Sequence, residues 1–147
     1  MNKKYIISYV SKIRKKAGKF IKKELKKHGI NDLSVSHGSI LSVLYENNDK
    51  LTMKKIANLI NRDKSTVNKK NKKLEKLGYI KRIKCQQDKR ITFISLTQKG
   101  LDIQNIFDLI SKKLIATAYN DFSKQEEQML LNLLKKMNNN FNSINKS

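Results

Sequence analysis

The sequence predicts a mainly α-helical fold with one small two-stranded β-hairpin, and three observations lead to it. Proline is absent and only five glycines occur in 147 residues, so few positions force a break and long helices are permitted. Apolar residues recur at helical spacing along most of the chain. In one place only, after Gly78, the pattern changes to β-branched and aromatic runs of strand length. The length suits a single domain, 1–147, with helical appendages. An apolar fraction of 38% argues for folding over disorder, although 31% of residues are charged.

From Lys3 to His28, the residues Ile6, Val10, Ile13, Ala17, Phe20, Ile21 and Leu25 form one apolar stripe. Lys4, Lys12, Lys15, Lys19, Lys22 and Lys26 lie opposite it, and Gly29 ends the helix. A second helix is expected over 36–46, with Ile40, Leu41, Val43, Leu44 and Tyr45 buried, before a turn at Asn47-Asn48-Asp49-Lys50. Thr52 is placed to cap a short helix from Met53 to about Leu59, with Ile56, Leu59 and Ile60 inward. Asn61-Arg62 interrupts, and Asp63 or Ser65 caps the next helix, which runs to Leu77 and stops at Gly78. Two strands, Tyr79–Ile83 and Ile91–Leu96, then flank the polar stretch Lys84–Arg90. Thr97 opens a long helix to about Tyr119 bearing Ile103, Ile106, Phe107, Ile110 and Leu114. Ser123 with Glu126 forms a capping box for a last helix to about Phe141, striped by Met129, Leu130, Leu133, Leu134 and Met137, with the tail from Asn138 fraying.

The formal charge is +21, and its distribution matters more than its size. Residues 52–100 hold 15 basic and 3 acidic groups, residues 1–33 hold 11 and 2, and residues 101–147 hold 6 and 5. A polyanionic partner is therefore expected at the middle of the chain and along the first helix, because clustered Lys and Arg release counterions condensed on nucleic acid. An AT-rich coding composition enriches Lys, Asn and Ile and accounts for part of the total, but not for the unevenness. No run of about 20 apolar residues occurs and the N-terminus lacks an apolar signal core, so a cytoplasmic protein that spans no membrane is expected. Cys85, His28 and His37 are the whole supply of Cys and His. They share no motif, so neither a disulfide framework, a metal site, a cofactor nor an enzyme's catalytic set is expected. His28 reads as a helix end, His37 as a surface position and Cys85 as a plain thiol at the base of the hairpin.

Two short helices with a tight connection, followed by a hairpin, make a winged helix-turn-helix. On a helical wheel Val67, Leu74 and Leu77 fall within about 40° of Asp63, while Ser65, Asn68, Lys69, Lys72, Lys73 and Lys76 lie opposite. That outer face has the chemistry to enter a major groove. Asn68 can pair with adenine, Thr66 can meet a thymine methyl, and the lysines can meet phosphates or guanine acceptors.

Residues 51–100 resemble the winged core of the MarR family of regulators. Ile56-Ala57 followed by Lys64-Ser65-Thr66-Val67, then Leu74-Glu75-Lys76-Leu77-Gly78-Tyr79-Ile80, and above all Asp88-Lys89-Arg90 followed by Leu96-Thr97-Gln98-Lys99-Gly100, carry the resemblance. It implies a sequence-specific regulator of double-stranded DNA, a homodimer whose lobes, residues 34–100, face successive major grooves about 34 Å apart on a pseudo-palindromic site. It assigns dimerisation to helices 3–28 and 101–141, with Ile6, Val10, Ile13, Phe20, Met129, Leu133 and Met137 as candidate contacts. It places Arg90 in a minor groove with Asp88 holding it. Thr52, Lys54, Lys64, Ser65, Thr66, Asn68, Lys69, Lys72, Lys73, Arg82, Lys84 and Lys89 complete the candidate DNA-contacting set. Relatives often bind small aromatic anions in a cleft between the dimer helices and the winged lobe, and Tyr5, Tyr9 and the Lys and Arg side chains of the first helix are candidates to line one here. The chain departs from the family pattern at Lys70 and Asn71, where apolar residues are usual. Lys70 can snorkel along Leu74 and Leu77, whereas Asn71 needs a hydrogen-bonding partner. Two other classes fit the charge: an RNA- or ribosome-associated winged protein without an operator, and a peripheral membrane-surface protein using the basic first helix.

Overall fold

A computed structural model describes residues 2–47 and 50–145. The described residues form α1 (Tyr5–Lys27), α2 (Val35–Glu46), β1 (Lys50–Thr52), α3 (Met53–Ile60), α4 (Lys64–Lys76), β2 (Ile80–Lys84), β3 (Thr92–Leu96), α5 (Gln98–Asp102), α6 (Gln104–Ala118) and α7 (Lys124–Asn145). They divide into two compact units, Met1–Lys112 and Lys113–Ser147.

In the first unit α2, α3 and α4 pack around one core with the sheet against them. Ile40, Leu41 and Leu44 of α2, Ile56 of α3, and Val67 and Leu74 of α4 lose all solvent contact, as does Ile94 of β3. Burying an aliphatic side chain of this size contributes about 1.5–3 kcal/mol each, which makes this cluster the main source of stability. Leu25 and Ile30 join the core at the C-terminal end of α1. There Gly29 takes φ +77, and the Ile30 amide donates to Leu25 O at 2.9 Å, so the chain turns back without leaving that carbonyl unpaired. The N-terminal half of α1 is different, since Ile6, Val10 and Ile13 all remain exposed.

The expected hairpin forms, with β2 and β3 antiparallel from Ile80 opposite Leu96 to Lys84 opposite Thr92. A third strand that the sequence did not announce, β1, pairs with the other edge of β3 and gives the order β1-β3-β2. Of the expected turn at 47–50, Asn48 and Asp49 lie outside the described residues and Lys50 already belongs to β1. Thr52 caps α3 by accepting from the Lys55 amide at 3.2 Å. Leu59, expected inward, is 44% exposed, because the core is reached from α3 by Ile56 and Ala57 instead.

Thr97 opens a helix as expected, but it is not continuous. α5 ends after Asp102, Ile103 closes it with φ −99 and ψ 3, and α6 begins at Gln104. The interruption lets α5 seat against the strands while Phe107 of α6 stacks edge-on with Tyr45 of α2, centroids 5.5 Å apart. The seat explains the Leu-Thr-x-x-Gly motif. Thr97 Oγ1 accepts from the Gly100 amide at 3.2 Å and donates to Gly78 O, while Tyr45 Oη donates to Gly100 O. A Cβ on Gly100 would stand 2.3 Å from Tyr79 O, so no other residue fits.

In the second unit a turn at 119–123 leads into α7. Tyr119 and Phe122 stack edge-on at 5.4 Å, and Asp121 takes φ +64. The expected capping box forms: Glu126 N donates to Ser123 Oγ at 3.1 Å, and Ser123 N donates to Glu126 Oε1 at 3.0 Å. The helix continues to Asn145 rather than ending near Phe141, so the tail from Asn138 is helical; no proline or glycine there opposes it. Among the described residues no helix is long and apolar enough to cross a membrane.

Candidate nucleic-acid interface

Helix α4 is set by its cap. Of the two candidates the structure selects Asp63, whose carboxylate accepts from the Thr66 amide at 3.1 Å, from Thr66 Oγ1 at 2.6 Å and from Ser65 Oγ. These donors hold the Asp63 carboxyl well below the usual carboxylate range, the Ser65 hydroxyl contributing most. An ionised carboxylate there complements the positive end of the helix. The Ser65 and Thr66 hydroxyl protons are therefore committed to the cap, leaving an acceptor oxygen on each and the Thr66 methyl for any outside contact.

The rotation of α4 follows the wheel. Val67 and Leu74 are buried, Leu77 is half-buried, and Lys64, Ser65, Lys69, Lys72, Lys73 and Lys76 are exposed. Lys54 of α3 is exposed as well, and Thr52 is half-buried at its cap. Asn71 lies on the inner side with no solvent exposure, and neither its Nδ2 nor its Oδ1 has a hydrogen-bond partner among the described residues. The partner that the sequence demanded for it is missing.

Asn68 is half-buried and already engaged. Arg82 of β2 donates from Nη2 to Asn68 Oδ1 at 3.1 Å and from Nε to Glu75 Oε2 at 2.9 Å. A strand side chain thus bridges two turns of α4. No linear pattern announces this link, since residues 68, 75 and 82 meet only once β2 is packed along α4.

Beyond β2 the loop closes with Cys85 N donating to Ile91 O at 2.9 Å and Ile91 N to Asp88 O at 3.0 Å. At its tip Arg90 donates to Asp88 through Nε at 3.0 Å, Nη2 at 3.2 Å and its own amide at 3.1 Å. The guanidinium beside Asp88 lowers that carboxyl's pKa, with the Arg90 amide adding to the effect. The Arg90 side chain is 91% exposed, so the carboxylate fixes its direction while leaving it open to a partner. Lys84 and Lys89 are exposed on the same hairpin. Cys85 is half-buried, its thiol donating to Gln87 Oε1 at 3.2 Å.

A helix-turn-helix, a hairpin with an Asp-held arginine and a Leu-Thr-x-x-Gly seat agree with what the comparisons find. The sequence model of the MarR family matches residues 33–92. The HTH-type transcriptional regulator SarZ of Staphylococcus haemolyticus is 33% identical over 118 residues, covering 80% of this chain and 76% of that protein. The chain belongs to the MarR family. SarZ of Staphylococcus epidermidis is 36% identical over 91 residues, a match that takes in 62% of this chain and spans 59% of the relative's length. In fold, the crystal structure of Streptococcus pneumoniae FabT in complex with DNA is similar at a TM-score of 0.80 and 20% identity, over 97% of this chain and 99% of that one.

This MarR-family chain also has a cleft of about 750 Å3 between α1, α2 and the α3–α4 turn, lined by Arg14, Lys15, Ile21, Ser36, Arg62 and Lys70 among others. Tyr5 and Tyr9 lie outside it and are each 61% exposed, whereas the basic Arg14 and Lys15 of the same helix do line it, since the α1 wall of the cleft runs from Ser11 to Ile21. Lys70 thus lines a basic wall of the cleft. His37 is not a plain surface residue either. It is half-buried, its amide donates to Ser34 Oγ at 3.2 Å, and its Nδ1 accepts from Ser34 N at 3.3 Å, completing a capping box on α2. Burial, followed by the charges of Lys70 and Lys73, lowers its pKa.

Proposed function

We propose that the chain is a transcriptional regulator that binds double-stranded DNA sequence-specifically, as a homodimer on a pseudo-palindromic operator, and represses by occupying the promoter. The observation that carries this reading is the pairing of an exposed Lys-rich reader helix with an Asp88-held, 91% exposed Arg90 at the tip of the adjoining hairpin. Lys64, Lys69, Lys72 and Lys73 meet the major groove and its phosphates, with Thr52 and Lys54 of α3 on the neighbouring backbone. Arg90 enters the flanking minor groove, where a guanidinium suits a narrow and strongly negative channel. Lys84 and Lys89 contact phosphates beside it. The fold neighbour FabT, whose structure is a complex with DNA, supports DNA as the partner.

The winged lobe is residues 34–100, and helices 3–28 and 101–141 assemble two copies. The support is apolar surface left exposed among the described residues: Ile6, Val10 and Ile13 in α1, and Met129, Leu133 and Phe141 in α7 are exposed, with Phe20 of α1 and Met137 of α7 half-buried. Surface of this kind marks an interface. The cleft, with cationic Arg14, Lys15, Arg62 and Lys70 around Ile21, is the place for a small aromatic anion as effector. Such a regulator works in the cytoplasm.

A gel-shift series tests this, comparing a palindromic duplex selected from a random pool with scrambled duplex, structured RNA and anionic vesicles at physiological ionic strength. The palindrome should bind at least about 10³-fold tighter than scrambled duplex. Equal affinity for all duplexes, or preference for RNA or vesicles, contradicts the reading.

A further inference from the structure

We infer that Arg82 is a positioning residue that sets which base Asn68 reads. The inference rests on the proposed DNA-binding function and specifies one contact within it.

Arginine has five N–H donors and no acceptor, so the amide atom of Asn68 facing Arg82 Nη2 has to be the carbonyl oxygen. The chemistry therefore fixes the orientation of the Asn68 amide, at an Nη2 to Oδ1 distance of 3.1 Å. Arg82 is itself fixed at its other end, where Nε donates to Glu75 Oε2 at 2.9 Å. The three residues form a relay from one helical turn, through a strand, to a point about two turns further along α4. Exposed pairs of this kind contribute little to stability, and the Arg82 and Glu75 side chains are 32% and 44% exposed. What the relay supplies is direction.

Its consequence is chemical. An asparagine pairs with adenine by two bonds at once, its oxygen accepting from N6–H and its amide donating to N7. In this chain one of the oxygen's two lone pairs already accepts a charged donor, while the Nδ2 protons have no hydrogen-bond partner among the described residues. Asn68 therefore presents itself to a groove chiefly as a donor, because a base donor approaching the oxygen's remaining lone pair would meet the Arg82 guanidinium charge. It pairs preferentially with an acceptor edge, guanine O6 and N7 or thymine O4, over adenine in the two-bond fashion that an unrestrained asparagine offers.

The test is selection of bound duplexes from a random pool, with full-length wild type and the variants Asn68→Ala, Arg82→Met and Glu75→Ala. Met keeps the length of the arginine stem and removes every donor. Glu75→Ala leaves the strand untouched and frees Arg82, so it decides the matter if Arg82→Met folds poorly in a thermal melt. Wild type should show one position per half-site that prefers guanine or thymine over adenine, and Asn68→Ala should flatten that position alone. Arg82→Met should move the same position towards adenine by about fivefold or more, the equivalent of one hydrogen bond, and Glu75→Ala should move it the same way by less. A structural role alone would weaken binding at every position without changing the preference at one. Adenine preference in wild type, or an unchanged profile in both relay variants, overturns the inference and leaves the regulator reading standing. No motif from wild type overturns both.

Discussion

Replacing Asn71 with leucine should stabilise the folded protein. Asn71 has 0% exposure and sits in the buried row of α4 between Val67 and Leu74, with both polar atoms of its amide unpaired. Leaving such a group dry and unpaired costs about 1–3 kcal/mol relative to water, a cost that the leucine removes. Leucine branches at the same carbon but is larger, and overpacking takes back about 1 kcal/mol. The net expectation is a gain of up to about 2 kcal/mol, a rise in Tm of up to roughly 6 °C for a chain of this length. Asn71→Ala is the control, since it removes the amide without overfilling the site and should fall within about 1 kcal/mol of wild type. Urea and thermal unfolding followed by circular dichroism, at one fixed protein concentration, measure both. Were the amide satisfied, both variants would lose about 2 kcal/mol or more, and that result would refute the reasoning.

The remaining predictions concern the interface and its support. Arg90→Ala should weaken binding to the selected operator by about 1–3 kcal/mol while barely changing affinity for scrambled duplex, as read by fluorescence anisotropy. Lys72→Ala should act on both duplexes alike and reduce the slope of log K against log salt by about one. His37 titrates below its ordinary value of 6.5 in the fold, so the unfolded chain binds the extra proton first. Stability should therefore be flat above that value and decline as pH falls through the lowered folded one. His37→Gln, which keeps a capping-box acceptor without a titrating ring, should flatten that decline in a Tm series from pH 7.5 to 5.

Much of this was legible because local rules and the global fold agree. Thr52, Thr97 and the Ser123–Glu126 pair all cap where a hydroxyl precedes an apolar period, and Val67 and Leu74 are buried where the wheel puts them. What escaped depended on tertiary pairing. Three residues, Lys50–Thr52, become a strand only because β3 has a free edge to offer. Ile103 interrupts a helical pattern without proline or glycine, since seating Gly100 against Tyr79 O requires α5 and α6 to diverge. The capping role of His37 escaped because the usual N3 partner is Glu or Gln. In the interface the holding of Arg90 by Asp88 spans two residues and follows from the motif, whereas the Arg82 link to Asn68 spans 14 and is visible only in three dimensions.

Footprinting on the selected operator tests the central claim most directly, because it reports separately on the two grooves. If α4 lies in the major groove and Arg90 in the adjoining minor groove of each half-site, guanine N7 should be protected from methylation at two places about 10 base pairs apart. Hydroxyl-radical cleavage should be suppressed in the outer minor grooves, and Arg90→Ala should restore it there while N7 protection persists. Uniform protection along the duplex, or a single protected half-site bound by one chain, contradicts the account.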